Sequence, residues 1–466
     1  MIQVHPLRGF YPMFQRYFDA GLAQASYLVA CERTRDAVVI DPRRDIDRYV
    51  AAARQHQLNI VAAIETHIHA DFLSGARELA AAGSRTIVGP GSSLKYPSSE
   101  VRDQERLTLG TLTLRFLHTP GHTPEHISIV AEQPGEPTRV FTGDTLFVGA
   151  VGRPDLLGET LMRRLAGDLH ESLFCKLLGL EDHVEVHPGH GAGSLCGAGI
   201  GAEPHSTIVR ERRSNPMLKH VDRDEFVAAV LGDLPDTPSY FQRMKRSNRD
   251  GPELIGFANG YQGVPAIDVG AASDAVRAGA IVIDLRDADA FCAAHAAGAL
   301  HMAFGPKIGY WAGWVLPEGA RIVLVAANAR EAAEAGRQLL RVGVDRIEGC
   351  IAGGIEAWRA AGLPISRIPQ ITVQQLRDRL GRDEDLAVVD VRTRHEWNNG
   401  HVEGAIHVPV GEVGMSAATL DGHGSVATIC EGGYRSLLAA SLLARAGLAN
   451  VVNVIGGMTA YRAQSR

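Results

Sequence analysis

The sequence predicts an α/β protein of about three domains, and three observations carry that reading. The chain has 466 residues, which suggests about three domains at roughly 150 residues each. In the first half, short apolar runs alternate with helical stretches, and His- and Asp-rich turns follow several of the runs. The second half carries one pattern of segments twice.

Strands are predicted over Ser26–Ala30, Ala37–Ile40, Ile60–Ile64, Leu112–Leu117 and Val140–Thr142, and helices over Ile46–Gln55, Leu73–Ala82 and Leu161–Leu178. Polar residues gather at the strand ends, where α/β folds place their ligand sites. Around Leu234–Gly260 turn formers replace the periodicity, so a domain boundary is expected there. Beyond it the repeat begins. The second copy reads DVRTRHEW from Asp390, GHVEGAIHVP over Gly400–Pro409, a strand ending TIC, a glycine-containing loop, a helix Leu437–Ala446, and NVIGGMTAYR. The first copy has the same order. DLRDADAF carries a similar aspartate–arginine turn (Asp284, Arg286), HAAGALHM matches GHVEGAIHV, RIVLVAANA matches VATIC, and CIAGGIEAW matches VIGGMTAY. The segment Ala361–Ile371, with two prolines, reads as the linker between copies.

Composition narrows the class. Hydrophobic residues make up 45% and charged residues 21%, with a net charge of −6. These values argue for packed cores and against a disordered or nucleic-acid-binding chain. The basic stretches Arg210–Arg213 and Arg243–Arg249 read as solvated faces, with a patch for a small anionic thiol as the alternative. No apolar run reaches the roughly 18 residues of a membrane span. MIQVHPLRGF lacks the features of a secretory signal. The six cysteines are far apart and form no CxxC pair, which points to a reducing compartment, by default the cytoplasm.

Two constellations carry chemistry. ETHIHADFLSG places His67, His69 and Asp71 just behind a strand, where i and i+2 side chains can converge. HTPGHTPEH adds His118, His122 and His126, FTGDTLF adds Asp144, and EVHPGHGAG adds His187 and His190, each behind its own strand. Imidazole with carboxylate suits zinc, iron or manganese. A lone histidine is more often a solvated or core residue, but four strand-end clusters are not explained that way. The second constellation is CEGGYRS, Cys430–Ser436, leading directly into a helix. Inward-pointing N–H groups of a tight loop, the helix N-terminus and Arg435 would all stabilise a thiolate, the nucleophilic form. A buried cysteine at a strand end is the bland alternative.

THIHAD, TPGHTPEH, FTGDTLF and HPGHG together resemble the metallo-β-lactamase superfamily over roughly residues 1–250. The resemblance implies an αββα sandwich with a metal at one edge. The superfamily run is HxHxDH, and Phe72 stands here in place of the last histidine, a ligand of the second metal. That departure favours one ion. The GRPD turn, Gly152–Asp155, is similar to that of the persulfide dioxygenases, which hold one ferrous iron on two histidines and an aspartate. By position the resemblance assigns the ligands to His67, His122 and Asp144, with His69, Asp71 and His190 as outer groups that orient them. It also places Arg153 and Cys196 by the substrate pocket, Cys196 being either a structural buried thiol or one that meets the persulfide. DVRTRHEWNNGHVEGAIHVP followed by CEGGYRS looks like a rhodanese domain over 368–466, in which Cys430 carries a persulfide cradled by Glu431, Gly432, Gly433, Tyr434 and Ser436, with Arg435 beside it. The copy over 258–367 has Ala326 or Ala327 at the cysteine position, and Cys292 and Cys350 fall elsewhere in the repeat, so it reads as an inactive rhodanese-like domain. Both copies are expected to be α/β domains with parallel sheets.

The implied function is oxidation of a low-molecular-weight thiol persulfide by O2 to sulfite at mononuclear Fe(II), coupled to sulfur transfer on Cys430 that forms or uses thiosulfate. The resemblance also implies a homo-oligomer, with no nucleic-acid or membrane partner. A glyoxalase II-like thioester hydrolase with zinc is the first alternative. A sulfur-carrier or sensor module whose metal fold only docks a partner is the second.

Overall fold

A computed structural model describes residues 14–232, 234–382 and 385–464. The reading of the first ten residues lies outside the described residues. Among the described residues no helix is long and apolar enough to cross a membrane, and all six cysteines are free thiols. Two compact units divide the chain, one running to Thr237 and including Phe241–Tyr261, the other holding Pro238–Tyr240 and everything from Gln262.

The first unit is a sandwich of two six-stranded sheets. One sheet runs in the order Phe14–Asp19, Gln24–Ala30, Asp36–Ile40, Asn59–Ile64, Arg85–Val88 and Ser99–Glu100. The other runs Ser206–Thr207, Glu185–Pro188, Arg139–Gly143, Ile127–Glu132, Leu112–His118 and Arg106–Leu109. Tyr27, Val38, Ile64, Leu114, Ile129 and Phe141, drawn from both inner faces, share one core. Val140 and Val186 pack outward against Leu169, Leu173 and Leu177 of the helical segment that starts at Glu159. Alternating faces of each strand thus serve sheet-on-sheet and sheet-on-helix packing, which gives the expected αββα layering.

The predicted elements agree to within a few residues, with two instructive differences. The helix expected over Leu73–Ala82 covers only Ala76–Ala81, because Leu73–Gly75 stay in a loop whose Ser74 N–H bonds Asn248. The segment taken as a boundary holds a ten-residue helix, Phe241–Asp250, that belongs to the first unit. Its buried residues, Phe241, Met244 and Asn248, recur at helical spacing, but the third is polar, so the apolar stripe is too short to read.

The second unit contains two five-stranded sheets of identical plan, with every neighbouring pair parallel. The orders are Ala266–Ile267, Arg346–Ile351, Arg321–Val325, Ile281–Asp284, Leu300–His301 and then Gln370–Ile371, Val451–Val454, Ser425–Ile429, Leu386–Asp390, Ile406–His407. The linker is not plain coil. Ile365–Ser366 pairs back with His295–Ala296, and Gln370–Ile371 opens the second sheet. The repeat extends to side chains. Arg286 grips Asp284 through three contacts of 2.6, 2.9 and 3.1 Å and the Ala294 carbonyl at 2.8 Å. Arg392 grips Asp390 at 2.7 and 2.9 Å and the Gly400 carbonyl at 2.8 Å.

Candidate metal centre and thiol site

His67, His122 and Asp144 come from three loops behind strands of both sheets, and their ligand atoms lie within 4.8 Å of one another. Nε2 of His67 and of His122 stand 3.8 and 3.5 Å from Asp144 Oδ2. All three atoms are buried and have no hydrogen-bond partner among the described residues. A buried polar atom left unpaired costs about 1–3 kcal/mol. Three of them facing one point fit a divalent cation, which would satisfy all three at once.

Each ligand atom is aimed by a second contact. His122 Nδ1 donates to the Arg153 carbonyl at 2.8 Å, which leaves Nε2 as the lone-pair nitrogen. His67 Nδ1 meets Thr66 Oγ1 at 2.9 Å, and Thr66 in turn donates to Asp41, from N–H at 2.7 Å and from Oγ1 at 2.9 Å. Asp144 N–H donates to His126 Nε2 at 3.0 Å. The preceding Gly143 sits at φ +48°, and a Cβ there would lie 2.5 Å from that same nitrogen. His190 lies between two carboxylates, Nδ1 to Asp144 Oδ1 at 2.8 Å and Nε2 to Asp71 Oδ2 at 2.9 Å. Burial, then the neighbouring imidazoles, hold His67 well below the usual histidine range, in the neutral form a metal needs. Burial opposes charge on His190, yet Asp144 and Asp71 outweigh it and push it up to about 10.

His69 turns elsewhere. Its Nε2 meets Asp41 Oδ1 at 3.1 Å and Glu65 Oε2 at 3.0 Å, and these carboxylates overcome burial to keep it charged. Its Nδ1 is buried without a partner among the described residues. Phe72 is fully buried, its ring 4.4 Å from that of His69. Cys196 joins Asp71 and His190 in a second close group, and burial pushes its thiol well above the usual range. The Arg153 side chain is committed to Asp155 at 2.7 Å, the Leu195 carbonyl at 3.0 Å and Thr237 at 2.6 Å. His118 and His187 stand apart from the centre. His118 bonds the Pro124 carbonyl at 2.8 Å, and His187 packs among Phe14, Tyr27 and Phe141.

Sequence reasoning missed Asp41, Glu65, Thr66 and Asn248. Asp41 left a faint signal, as a polar strand end beside the strand Asn59–Ile64, and it adopts φ +49° there. Asn248 left none. It reaches from the helix Phe241–Asp250 to bond the carbonyls of His69 and Phe72, each at 2.8 Å.

At the thiol site, Cys430 follows the strand Ser425–Ile429 and is 1% exposed. The Gly433 N–H donates to its Sγ at 3.1 Å, and Ser436 Oγ lies 3.5 Å away. Gly433 takes φ +104° as the cap of the helix Tyr434–Arg445, a conformation favoured by glycine. Glu431 bonds Thr459 at 3.1 Å, Arg462 at 2.7 Å and Arg392 at 3.3 Å. Arg435 pairs with Glu396 through two contacts of 2.6 Å, which hold the Glu396 carboxyl down at about 2 against the push of burial. The Tyr434 ring lies 6.2 Å from Trp311 of the first copy. A Cβ on Gly457 would stand 2.2 Å from the Cys430 carbonyl, which explains the second glycine of NVIGGM. In the first copy Ala326 follows the matching strand, and Asn328 caps the helix Ala329–Arg341 through the Glu331 N–H. Cys350, distant by sequence position, lines the same cavity as Ala326 and Ala327.

Comparison with known proteins agrees with this division. The profile described as the metallo-beta-lactamase superfamily matches residues 20–190, and that of the rhodanese-like domain matches 269–361 and 372–464. The crystal structure of a metallo-beta-lactamase from Staphylococcus aureus is 32% identical with a TM-score of 0.64, covering 72% of this chain and 98% of that one. An uncharacterized protein of Mycobacterium bovis is 31% identical over 243 residues, 44% of this chain and 98% of its own length. The cytoplasmic hydroxyacylglutathione hydrolase of Arabidopsis thaliana is 36% identical over 169 residues, 35% of this chain and 62% of that protein.

Proposed function

The chain belongs to the metallo-β-lactamase superfamily, extended by two rhodanese-like domains, and we propose that it oxidises a low-molecular-weight thiol persulfide with dioxygen and handles the released sulfur on Cys430. The observation that carries this reading is the convergence of the unpartnered His67 Nε2, His122 Nε2 and Asp144 Oδ2 beside a site where Phe72 replaces a histidine. Two imidazoles and one carboxylate make the facial triad of non-haem ferrous oxygenases. What ferrous iron supplies there, when bound, is dioxygen activation beside the substrate sulfur. The residues do the rest. The Arg153 carbonyl and Thr66 fix the two rings, and His190 holds the unused oxygen of Asp144. The overall change is RSSH + O2 + H2O to RSH and sulfurous acid.

On Cys430, thiolate attack on a sulfane sulfur breaks the donor's S–S bond and leaves a cysteine persulfide. Sulfite then attacks the outer sulfur, thiosulfate departs and the thiolate is restored. The Gly433 N–H and the helix terminus are placed to stabilise that thiolate each time it forms. The product of one site is thus a substrate of the other. Free thiols throughout the chain suit a reducing, cytoplasmic setting.

One second reading has specific support. The Arabidopsis relative is named as a hydroxyacylglutathione hydrolase, and a hydrolase on this fold would use zinc and a metal-bound hydroxide. Metal analysis of the purified chain, with an oxygen electrode and a panel of persulfides, separates the two. Near-stoichiometric iron and persulfide-dependent oxygen uptake yielding sulfite are expected. Zinc with thioesterase activity and no oxygen uptake refutes the dioxygenase reading.

A further inference from the structure

The helix Phe241–Asp250 is anchored to the first unit's loops at two points. Gln242 donates to the Leu156 carbonyl at 2.9 Å, just past the GRPD turn. Asn248 grips the loop of His69 and Phe72 at 2.8 Å. Lys245 lies three residues from each, so it shares their face of the helix. It therefore lies between the two anchored positions. Its Nζ is enclosed and has no hydrogen-bond partner among the described residues. The charges that act on it are those of Glu125, Arg249 and the Cys196 thiol, and His122 in turn feels its ammonium. One oxygen of Glu125, Oε1, accepts the Ile68 N–H at 3.0 Å.

An enclosed ammonium without a partner costs stability. Burial accordingly holds Lys245 below the usual lysine range. Two other basic groups of this region are consumed, Arg153 by Asp155 and His190 by its two carboxylates. Lys245 alone among these three is left with donors to offer. Its neighbours also fix what it would meet. His122 and Cys196 belong to the two neighbouring ligand groups of the candidate centre, where a reacting sulfur would sit, whereas the carrier portion of a thiol would extend away from it.

We infer that Lys245 binds the small sulfur anion at the metal centre, the persulfide group on entry and sulfite on exit, independently of which thiol carries the persulfide. The inference rests on the proposed function for the identity of the reacting group, but an oxyanion site beside the metal can be tested without turnover. Calorimetric titration of sulfite into metal-loaded native chain and into Lys245→Met is the experiment. Binding is expected in the native chain and about 30-fold weaker in the variant, equivalent to about 2 kcal/mol at 1.4 kcal/mol per tenfold. Lys245→Arg should keep sulfite affinity to within a few-fold. The melting temperature of the metal-free methionine variant should equal or exceed that of the native chain, because an unpaired buried charge is gone. If the methionine variant does not fold, Lys245→Gln takes its place. Equal sulfite affinity in native and neutral variants overturns the inference, and so does a native chain that binds no sulfite. If sulfite binding depends on Lys245 while no persulfide supports oxygen uptake, the anion site stands and the dioxygenase reading falls.

Discussion

Replacing Asn248 by alanine should loosen the candidate metal centre from a distance. The side chain makes three buried hydrogen bonds to the loop behind His67, donating to the His69 and Phe72 carbonyls at 2.8 Å each and accepting the Ser74 N–H at 2.9 Å. Truncation leaves two carbonyls and one N–H buried without partners, at about 1–3 kcal/mol each. Water entering the vacated volume recovers part of this, so a net loss of about 3–5 kcal/mol is expected. For a domain of this size that corresponds to a fall in melting temperature of about 6–20 °C. The same loop carries His67, and losing the groups that orient a ligand typically weakens metal binding about 10- to 100-fold. Chelator competition with the loaded protein measures the second effect, and thermal unfolding of the metal-free protein measures the first. Asn248→Asp should be worse than alanine, because it keeps the acceptor for Ser74 but sets a carboxylate oxygen against two carbonyls. Metal affinity within twofold of native, with an unmoved melting temperature, would refute the role assigned to Asn248.

Cys430→Ser should abolish sulfur transfer from thiosulfate while persulfide-dependent oxygen uptake continues; loss of both would show that the two sites are coupled. Glu396→Gln should remove the clamp on Arg435 and cost about 1–3 kcal/mol at neutral pH, as loss of a charged bidentate pair does. Because the native Glu396 carboxyl is held at about 2 against a usual 4.5, its contribution is complete above pH 4.5 and is lost as pH falls towards 2. The stability gap between native and Glu396→Gln should therefore close over that window, and a gap that persists at pH 2 would contradict the pairing. Ala326→Cys in a Cys430→Ser background should remain inactive in sulfur transfer, since the first copy's loop has no counterpart of the Gly433 N–H and no arginine–glutamate clamp; measurable transfer would count against that account.

What was legible in the sequence follows from what periodicity and motif can encode. The strands ending at Ile40, Ile64 and Gly143 are apolar runs closed by polar turns, so both the sheets and the place of His67 and Asp144 could be read. The repeat was legible because each copy needs the same aspartate–arginine grip and the same paired glycines. Asn248 was not legible, for it is a polar residue on a short helix far along the chain, and its partners are backbone atoms that leave no trace in sequence. Lys245 was lost within a basic run that reads as solvated, although its Nζ is enclosed. Cys350 was excluded by register, yet parallel strands bring it to the cavity of Ala326 and Ala327. Register along one chain says which residues are equivalent, and says nothing about which side chains meet across neighbouring strands.

The two rhodanese-like copies serve as each other's control. His301 bonds the Arg286 carbonyl at 3.1 Å and His407 the Arg392 carbonyl at 2.9 Å, so the aspartate–arginine–histidine arrangement is present both where a thiol follows the strand and where an alanine does. An arrangement indifferent to the thiol belongs to the fold. Four features instead differ together. Cys430 is matched by Ala326, and the stretch from strand to helix is 430–433 in one copy and 326–328 in the other. A glycine at φ +104° caps the second copy's helix, where the first has an asparagine in extended geometry. Glu396, the partner of Arg435, is matched in the repeat by Ala290. Groups that are lost together while the sheet beneath them is kept form one functional unit. Loop length, glycine cap and arginine clamp thereby go together with the thiol at position 430, where sulfur transfer is proposed, and the clamp adds stability to the domain as well.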